Sequence, residues 1–225
     1  MRKIFEGKTK DVYEVGDGSF QLVFKDDMTG ADGVFDPGAN TVGLTVEGAG
    51  LAGLKMSVYY FKLIEEKGYP TQFVSAQGNS MTVRPATSFG GGLEVICRYK
   101  AMGSFIRRYG DHIHEGSPLD AVVEMTLKDD ERGDPLINED ALIAIGILKP
   151  GEYTELKTLT QDICKVIKTD LAGKGLELCD IKLEFGKTQD GKIMLIDEIS
   201  GGNMRVMENG ETILPLELSK RVCTV

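Results

Sequence analysis

Two apolar segments near the C-terminal end, residues 178–185 and 192–199, constrain this chain more than any other stretch. They flank Asp190-Gly191, a dipeptide suited to a tight reversal, and so read as a β-hairpin. Leu183, Phe185, Leu195 and Ile196 make it a buried hairpin, yet Glu184 and Asp197 lie inside the same run. If the strands pair across the turn, these two carboxylates are neighbours on one sheet face. There they repel and raise each other's pKa unless a cation sits between them. A divalent metal bridging nucleotide phosphates is the natural cation. A solvent-facing acidic row is the competing reading, and the apolar neighbours weigh against it.

The rest of the chain supplies more strands than helices. Residues 10–15 and 20–25 read as two strands around Gly16-Asp17-Gly18, and 72–75, 80–85, 94–99 and 122–128 read as four more. Residues 26–50 are rich in Gly, Asp and Thr, too long for a plain loop, and either functional or built of short strands. Apolar spacing predicts a helix over 51–67, stopped by Gly68, a short one over 138–145, and the clearest over 154–174. The pattern argues for an α+β chain, with a β-rich lobe over 1–85 and a larger α+β lobe over 86–225.

Composition removes several function classes. Across 225 residues, 26 Lys and Arg against 35 Asp and Glu leave a net charge of −9. Such a chain is no general nucleic-acid binder, although a local basic pocket for a small anion remains open to it. No apolar run approaches the roughly 20 residues of a membrane span, and the charged N-terminus lacks an apolar signal core. Cys97, Cys164, Cys179 and Cys223 show no paired spacing and read as reduced thiols of a cytoplasmic protein. Two histidines leave little material for a His-based zinc site.

Three further stretches carry chemistry. In Glu6-Gly7-Lys8-Thr9-Lys10, backbone N–H groups and two ammonium groups can approach phosphate, though a solvated turn explains the stretch more simply when it is taken alone. Arg98, Ser104, Arg107 and Arg108 combine guanidinium groups with a turn hydroxyl, which suits a phosphomonoester or a surface basic patch. Lys128-Asp129-Asp130 and Asp134-Pro135 place acidic residues after a strand, where they can hold Mg²⁺ or an amine, or simply form a charged turn.

Taken in order, these blocks resemble the SAICAR synthetase (phosphoribosylaminoimidazole-succinocarboxamide synthase) family. Phe5-Glu6-Gly7-Lys8-Thr9-Lys10 and Tyr13 match its opening block, and Lys25-Asp26-Asp27 its next. Glu94 to Arg98 with Gly103-Ser104, Arg108-Tyr109-Gly110, and then Lys128, Asp130, Asp134-Pro135 and Asn138-Glu139 follow in step. Lys182-Leu183-Glu184-Phe185-Gly186 and Asp197-Glu198-Ile199-Ser200, with Arg205, complete the series. Five blocks in order over residues 4–205 are a specific signal.

The resemblance implies an N-terminal β lobe and a larger α+β lobe with ATP in the cleft between them. It implies that ATP activates the carboxylate of a carboxyaminoimidazole ribonucleotide and that the amine of aspartate displaces the phosphate. It assigns ATP to Gly7, Lys8, Lys10, Glu184 and Asp197, Mg²⁺ to Glu184 and Asp197, and the substrate phosphate to Arg98, Ser104 and Arg205. Lys10, Lys128 and Asp134 are the implied catalytic residues. The implied partners are a phosphorylated ribonucleotide and an amino acid, with no nucleic acid and no membrane, and with a homodimer as the candidate assembly.

Some positions depart from the family. Ser200-Gly201-Gly202 stands where the family has Ser-Pro-Asp, Gly48-Ala49-Gly50 where it has Gly-Lys-Gly, and Thr71-Gln72-Phe73 where it has Thr-His-Phe. The tail after Arg205 is short and lacks the usual Trp-Asp. These changes fall on the acceptor side. A paralogous ligase with a different carboxylate and amine, or a small-molecule kinase, is therefore the alternative expectation.

Overall fold

The computed structural model describes residues 1–16, 18–39 and 41–223. The expected turn at Gly16-Asp17-Gly18 therefore falls partly outside the described residues, at Asp17.

Strands β1 (Arg2–Glu6), β2 (Lys10–Glu14) and β3 (Phe20–Phe24) form an antiparallel meander. β4 (Asp27–Ala31), β5 (Val34–Phe35) and β6 (Val42–Thr45) make a separate three-stranded sheet, so the Gly-rich stretch holds short strands after all. Helix α1 (Ala49–Glu66) follows, and β7 (Phe73–Gln77) and β8 (Ser80–Val83) complete the first sheet in the order β1-β2-β3-β8-β7.

The second sheet begins with β9 (Thr87–Ser88) and β10 (Leu93–Lys100). After α2 (Ser104–Tyr109) come β11 (Pro118–Leu127), α3 (Glu139–Ala144) and α4 (Glu152–Gly173). β12 (Glu177–Lys187), β13 (Ile193–Ile196), β14 (Met204–Glu208), β15 (Glu211–Thr212) and α5 (Pro215–Cys223) close the chain. Its path runs β11-β10-β12-β14-β15, with β9 and β13 also paired to β12.

Helix α4 lies on one face of β10 and β12 and buries Leu156, Ile163, Ile167 and Leu171 against it. These fall on the stripe its spacing predicts. Each such side chain contributes roughly 1.5–3 kcal/mol by leaving water. Helix α1 is covered by the first sheet on one side and α5 on another, so its buried set is wider than one stripe. Leu54, Phe61 and Ile64 are buried as expected, Met56 and Tyr60 join them, and Leu51 is left exposed.

On β12 the side chains alternate from Asp180 to Phe185, beyond an irregularity between Leu178 and Asp180. Ile181, Leu183 and Phe185 face the core, while Asp180, Lys182 and Glu184 share the other face. β10 pairs with it so that Glu94 stands opposite Glu184, Ile96 opposite Lys182, and Arg98 opposite Asp180. One face of the second sheet is thus polar and ionic, and it forms the floor of the cleft.

The expected hairpin exists, with two corrections. Its second strand ends at Ile196, and the residue across from Glu184 is Ile196 rather than Asp197. In an extended continuation Asp197 would point to the opposite face from Glu184. Instead Asp197 has φ +68°, a left-handed turn that breaks the alternation and returns its side chain to the cleft beside Glu184. A second difference lies at the N-terminus. Gly7 to Lys10 is not a lead-in to a hairpin but the turn of one, because β1 pairs with β2.

Candidate active site

The first part of the site is built on the β1–β2 turn. Glu6 pairs with Asp11, and the Gly7 N–H donates to the Lys10 carbonyl at 2.9 Å. A Cβ at Gly7 would lie 2.5 Å from that carbonyl oxygen, so the turn closes only on glycine. Lys25 Nζ braces it from behind by donating to the Gly7 carbonyl at 2.6 Å. Lys8 then reaches across to Asp130 at 2.6 Å, and Lys10 lies between Asp197, at 3.2 Å, and Glu198. Gly7, Lys8, Lys10, Lys128, Glu184 and Asp197 line one cavity of about 250 Å³.

Its charges are arranged in alternating sign. Lys128 Nζ donates to Glu184 at 2.8 Å. Burial pushes the Glu184 carboxyl up, Asp197 adds to the shift, and Lys128 only partly offsets it. Asp197 goes the other way: burial pushes it up, but Lys10, Lys128 and Lys182 together hold it below the usual carboxylate range. Burial pulls the Lys10 and Lys128 ammonium groups down, and the facing carboxylates outweigh it, so both stay raised and charged. Lysines of the chain itself thus already place positive charge beside the two carboxylates.

Among the described residues no group of three or more His, Cys, Asp and Glu forms a protein-only metal cage. Glu184 and Asp197 are two hard oxygen donors on one cavity wall. That is the donor set Mg²⁺ uses when nucleotide phosphates complete its shell, so the residues fit the ion.

The second part of the site is a cavity of about 300 Å³ lined in part by Arg98, Ser104, Arg107 and Arg205. Arg98 is no surface charge; it is 2% exposed. It donates to Glu124 at 2.6 Å, to Asp180 at 3.0 Å and to Ser104 Oγ at 2.8 Å. Arg205 donates to the same Asp180 at 2.9 and 3.2 Å. Asp180 is the hub: burial pushes its carboxyl up, opposed by Arg205 and Arg98. Arg98, Ser104 and Arg205, far apart in sequence, are thus brought together, with Arg98 mostly consumed in fixing the other two.

The two cavities share the wall residues Pro37, Ala39, Glu94, Asp134, Lys182 and Asn203. Asp134 sits there at φ +50° and accepts from the Asp129 N–H at 2.8 Å. Lys182 donates to Glu94, whose other oxygen accepts from Thr126 Oγ1 at 2.9 Å. Asn203 ties the 197–203 segment together, donating to the carbonyls of Glu198 at 2.7 Å and Lys182 at 3.0 Å. Asp180, Lys182, Glu94, Glu198 and Asn203 escaped the reading of the sequence as site residues. For the first three a signal existed: polar residues at every second position of two otherwise apolar strands. Glu198 stands inside the matched block Asp197-Glu198-Ile199-Ser200 but carries no assigned role there, and Asn203 had no signal.

One of the departures noted above also finds its place. A Cβ at Gly201 would lie 2.6 Å from the Pro215 Cα, so the start of α5 excludes the family's proline there. On the same segment the Ile199 N–H donates to the buried Ser57 at 3.2 Å, which anchors it to α1.

The SAICAR synthetase family model matches residues 3–220. The chain belongs to the SAICAR synthetase family. A phosphoribosylaminoimidazole-succinocarboxamide synthase from Clostridium tetani is 55% identical over 225 residues, covering 99% of each chain. A SAICAR synthetase solved in complex with ADP superposes with a TM-score of 0.86 at 31% identity, covering 97% of this chain and 96% of that one. A SAICAR synthetase from Pyrococcus horikoshii gives 0.82 at 30% identity, covering 95% and 96%. The α+β architecture expected from the sequence is therefore that of the SAICAR synthetase fold.

Proposed function

We propose that this chain joins aspartate to carboxyaminoimidazole ribonucleotide at the expense of ATP, giving SAICAR, ADP and phosphate in purine biosynthesis. It is an ATP-dependent carbon–nitrogen ligase. The observation that carries the reading is the shared wall: a lysine-rich cavity opens directly onto an arginine-rich one, within a chain 55% identical to a synthase of this name over its whole length. The paralogue and kinase readings are not favoured, because no feature of the site calls for them.

In this reading ATP lies against Gly7, Lys8 and Lys10. The 5′-phosphate of the ribonucleotide lies against Ser104 and Arg205, with Arg98 behind them. Its carboxylate then meets the γ-phosphate at the wall of Lys182 and Glu94. A carboxylate oxygen attacks the γ-phosphorus and ADP leaves. The amine of aspartate next attacks the acyl carbon, phosphate departs with that oxygen, and the nitrogen loses its proton. Lys10, Lys128 and Lys182 hold positive charge around the phosphoryl group as negative charge shifts onto it. Asp134, which accepts from the Asp129 N–H, takes the amine's proton in this reading. Bound Mg²⁺ would be held by Glu184 and Asp197 and would supply charge neutralisation at the phosphates.

The same proposal includes two lobes, 1–85 and 86–225, meeting at the cleft, and a cytoplasmic homodimer. All four cysteines are free, three of them buried, and no described helix is long and apolar enough to cross a membrane. The molecular mass in solution tests the dimer. The function is tested by ADP release with the ribonucleotide and a panel of amines. Release that needs aspartate supports the ligase, and equal release without any amine makes the protein a kinase.

A further inference from the structure

The strap after β5 places a carboxylate on the arginine-lined cavity. Asp36 Oδ1 accepts from Arg205 Nη2 at 2.8 Å and from the Gly38 N–H at 2.8 Å, so a tight local turn aims it at the guanidinium. Arg205 Nη1 is already held by Asp180. Backbone encloses the same group on both sides: a Cβ on Gly38 would lie 3.2 Å from Nη2, and one on Gly103 would lie 2.6 Å from it. The two acidic partners differ in kind. The Asp180 side chain is 5% exposed and shared with Arg98, whereas that of Asp36 is 41% exposed. Asp180 therefore sets where Arg205 sits, and Asp36 occupies the nitrogen left for a ligand.

We propose that Asp36 is a specificity-determining residue that holds the ligand-facing side of Arg205 until a phosphate dianion displaces it. The proposal rests on reading this cavity as the ribonucleotide phosphate site. A phosphate carrying nearly two charges cannot share Nη2 with a carboxylate without repulsion, so one of them leaves. Asp180 is buried between two arginines, while Asp36 can turn out into water. A dianion gains from the exchange, and a carboxylate or a neutral hydroxyl gains little, so the latch discriminates by charge. Pro37 and Ala39, next on the same strap, line both cavities, which ties filling of the phosphate site to the strap that covers the reacting groups.

The latch taxes binding by the fraction of molecules in which it is open. For an ion pair this exposed, that fraction lowers apparent affinity about two- to fivefold. The test compares wild type with Asp36→Asn by calorimetry, using aminoimidazole carboxamide ribonucleotide and the matching nucleoside as probes. The expected result is a Kd for the ribonucleotide two- to fivefold lower in Asp36→Asn, an unchanged Kd for the nucleoside, and an unchanged Tm. If wild type prefers the ribonucleotide but Asp36→Asn binds it equally or more weakly, Asp36 merely positions Arg205 and the latch is wrong. If neither protein distinguishes ribonucleotide from nucleoside, the phosphate-site reading fails and the latch with it.

Discussion

The side-chain amide of Gln72 donates to the main-chain carbonyl of Asp197 at 2.8 Å. Gln72 is buried just ahead of β7, and its own N–H donates to the Leu195 carbonyl at 2.9 Å. One residue just outside the first sheet thus grips both ends of the bend that turns Asp197 into the cleft. Replacing Gln72 by Leu leaves that carbonyl without its donor. The expected cost is about 1–3 kcal/mol of stability and a fall in kcat of roughly tenfold, one pKa-unit equivalent in free energy. Gln72→His, which restores the family's residue and an N–H donor, should recover most of the rate. Unchanged kcat in Gln72→Leu would show that the bend needs no grip.

Asp197→Asn removes one of the two carboxylates that fit Mg²⁺ while keeping the shape of the side chain. Turnover should fall by at least about a hundredfold, and the dependence of the residual rate on Mg²⁺ should shift to higher concentration. An unaltered Mg²⁺ titration would take Asp197 out of the metal's shell.

Lys10→Ala should raise the KM for ATP more than that for the ribonucleotide, by on the order of tenfold for loss of a charged contact. Steady-state kinetics with each substrate varied in turn read this directly. Equal losses for both would mean that Lys10 serves the fold, through Asp197 and Glu198, rather than the nucleotide.

Arg98 calls for a different expectation from Arg205. Arg98→Met takes one of two arginine partners from each of Glu124 and Asp180, leaving Arg108 and Arg205, so a loss of about 1.5–3 kcal/mol is expected, seen as a Tm lower by roughly 3–12 °C for a chain this size. Arg205→Gln, at a more open position, should keep a nearly native Tm and lose the preference for a phosphorylated substrate. The reverse pattern in the two variants would exchange their roles.

Acid tests the brace under the β1–β2 turn. Asp11 accepts from Lys3 at 2.9 Å and faces Lys25 at 3.6 Å, and Lys25 in turn holds the Gly7 carbonyl. The hydrogen bond from Lys3 lowers the Asp11 carboxyl, burial opposes it, and Lys25 lowers it further, to a net value below the ordinary 3.8. A depressed folded pKa gives stability that is present above the unfolded value and is lost as pH falls through the folded one. Asp11→Asn should therefore lower Tm at pH 7, for a stability loss of less than about 1 kcal/mol because the pair is screened by solvent. The difference should shrink as pH falls below the ordinary carboxylate range and vanish once the depressed folded-state pKa is passed. An equal Tm difference at pH 7 and in that acid range would remove the ion pair as its cause.

Much of this site was readable from residue order, and the reason is local. The polar alternation at Asp180, Lys182 and Glu184 is written in the strand itself, and the glycine of the β1–β2 turn is required by a carbonyl three residues on. What the sequence hid depends on distant partners. Asp197 does lie beside Glu184, but through a left-handed bend gripped by Gln72, 125 residues away, rather than through the strand pairing that the hairpin pattern suggests. The burial of Arg98 follows from Glu124 and Asp180 closing over it from two other strands, and a string of arginines gives no hint of that. The short strands of residues 27–45 were invisible because Gly and Asp suppress the alternation on which a strand is recognised.

In the proposed reaction a substrate carboxylate takes the γ-phosphoryl group before the amine displaces it. Labelling that carboxylate of carboxyaminoimidazole ribonucleotide with oxygen-18 and analysing the released phosphate by mass spectrometry tests it most directly. The account predicts one labelled oxygen in each phosphate formed, together with one ADP and one succinocarboxamide product. Unlabelled phosphate, released with the same amide product, would contradict it.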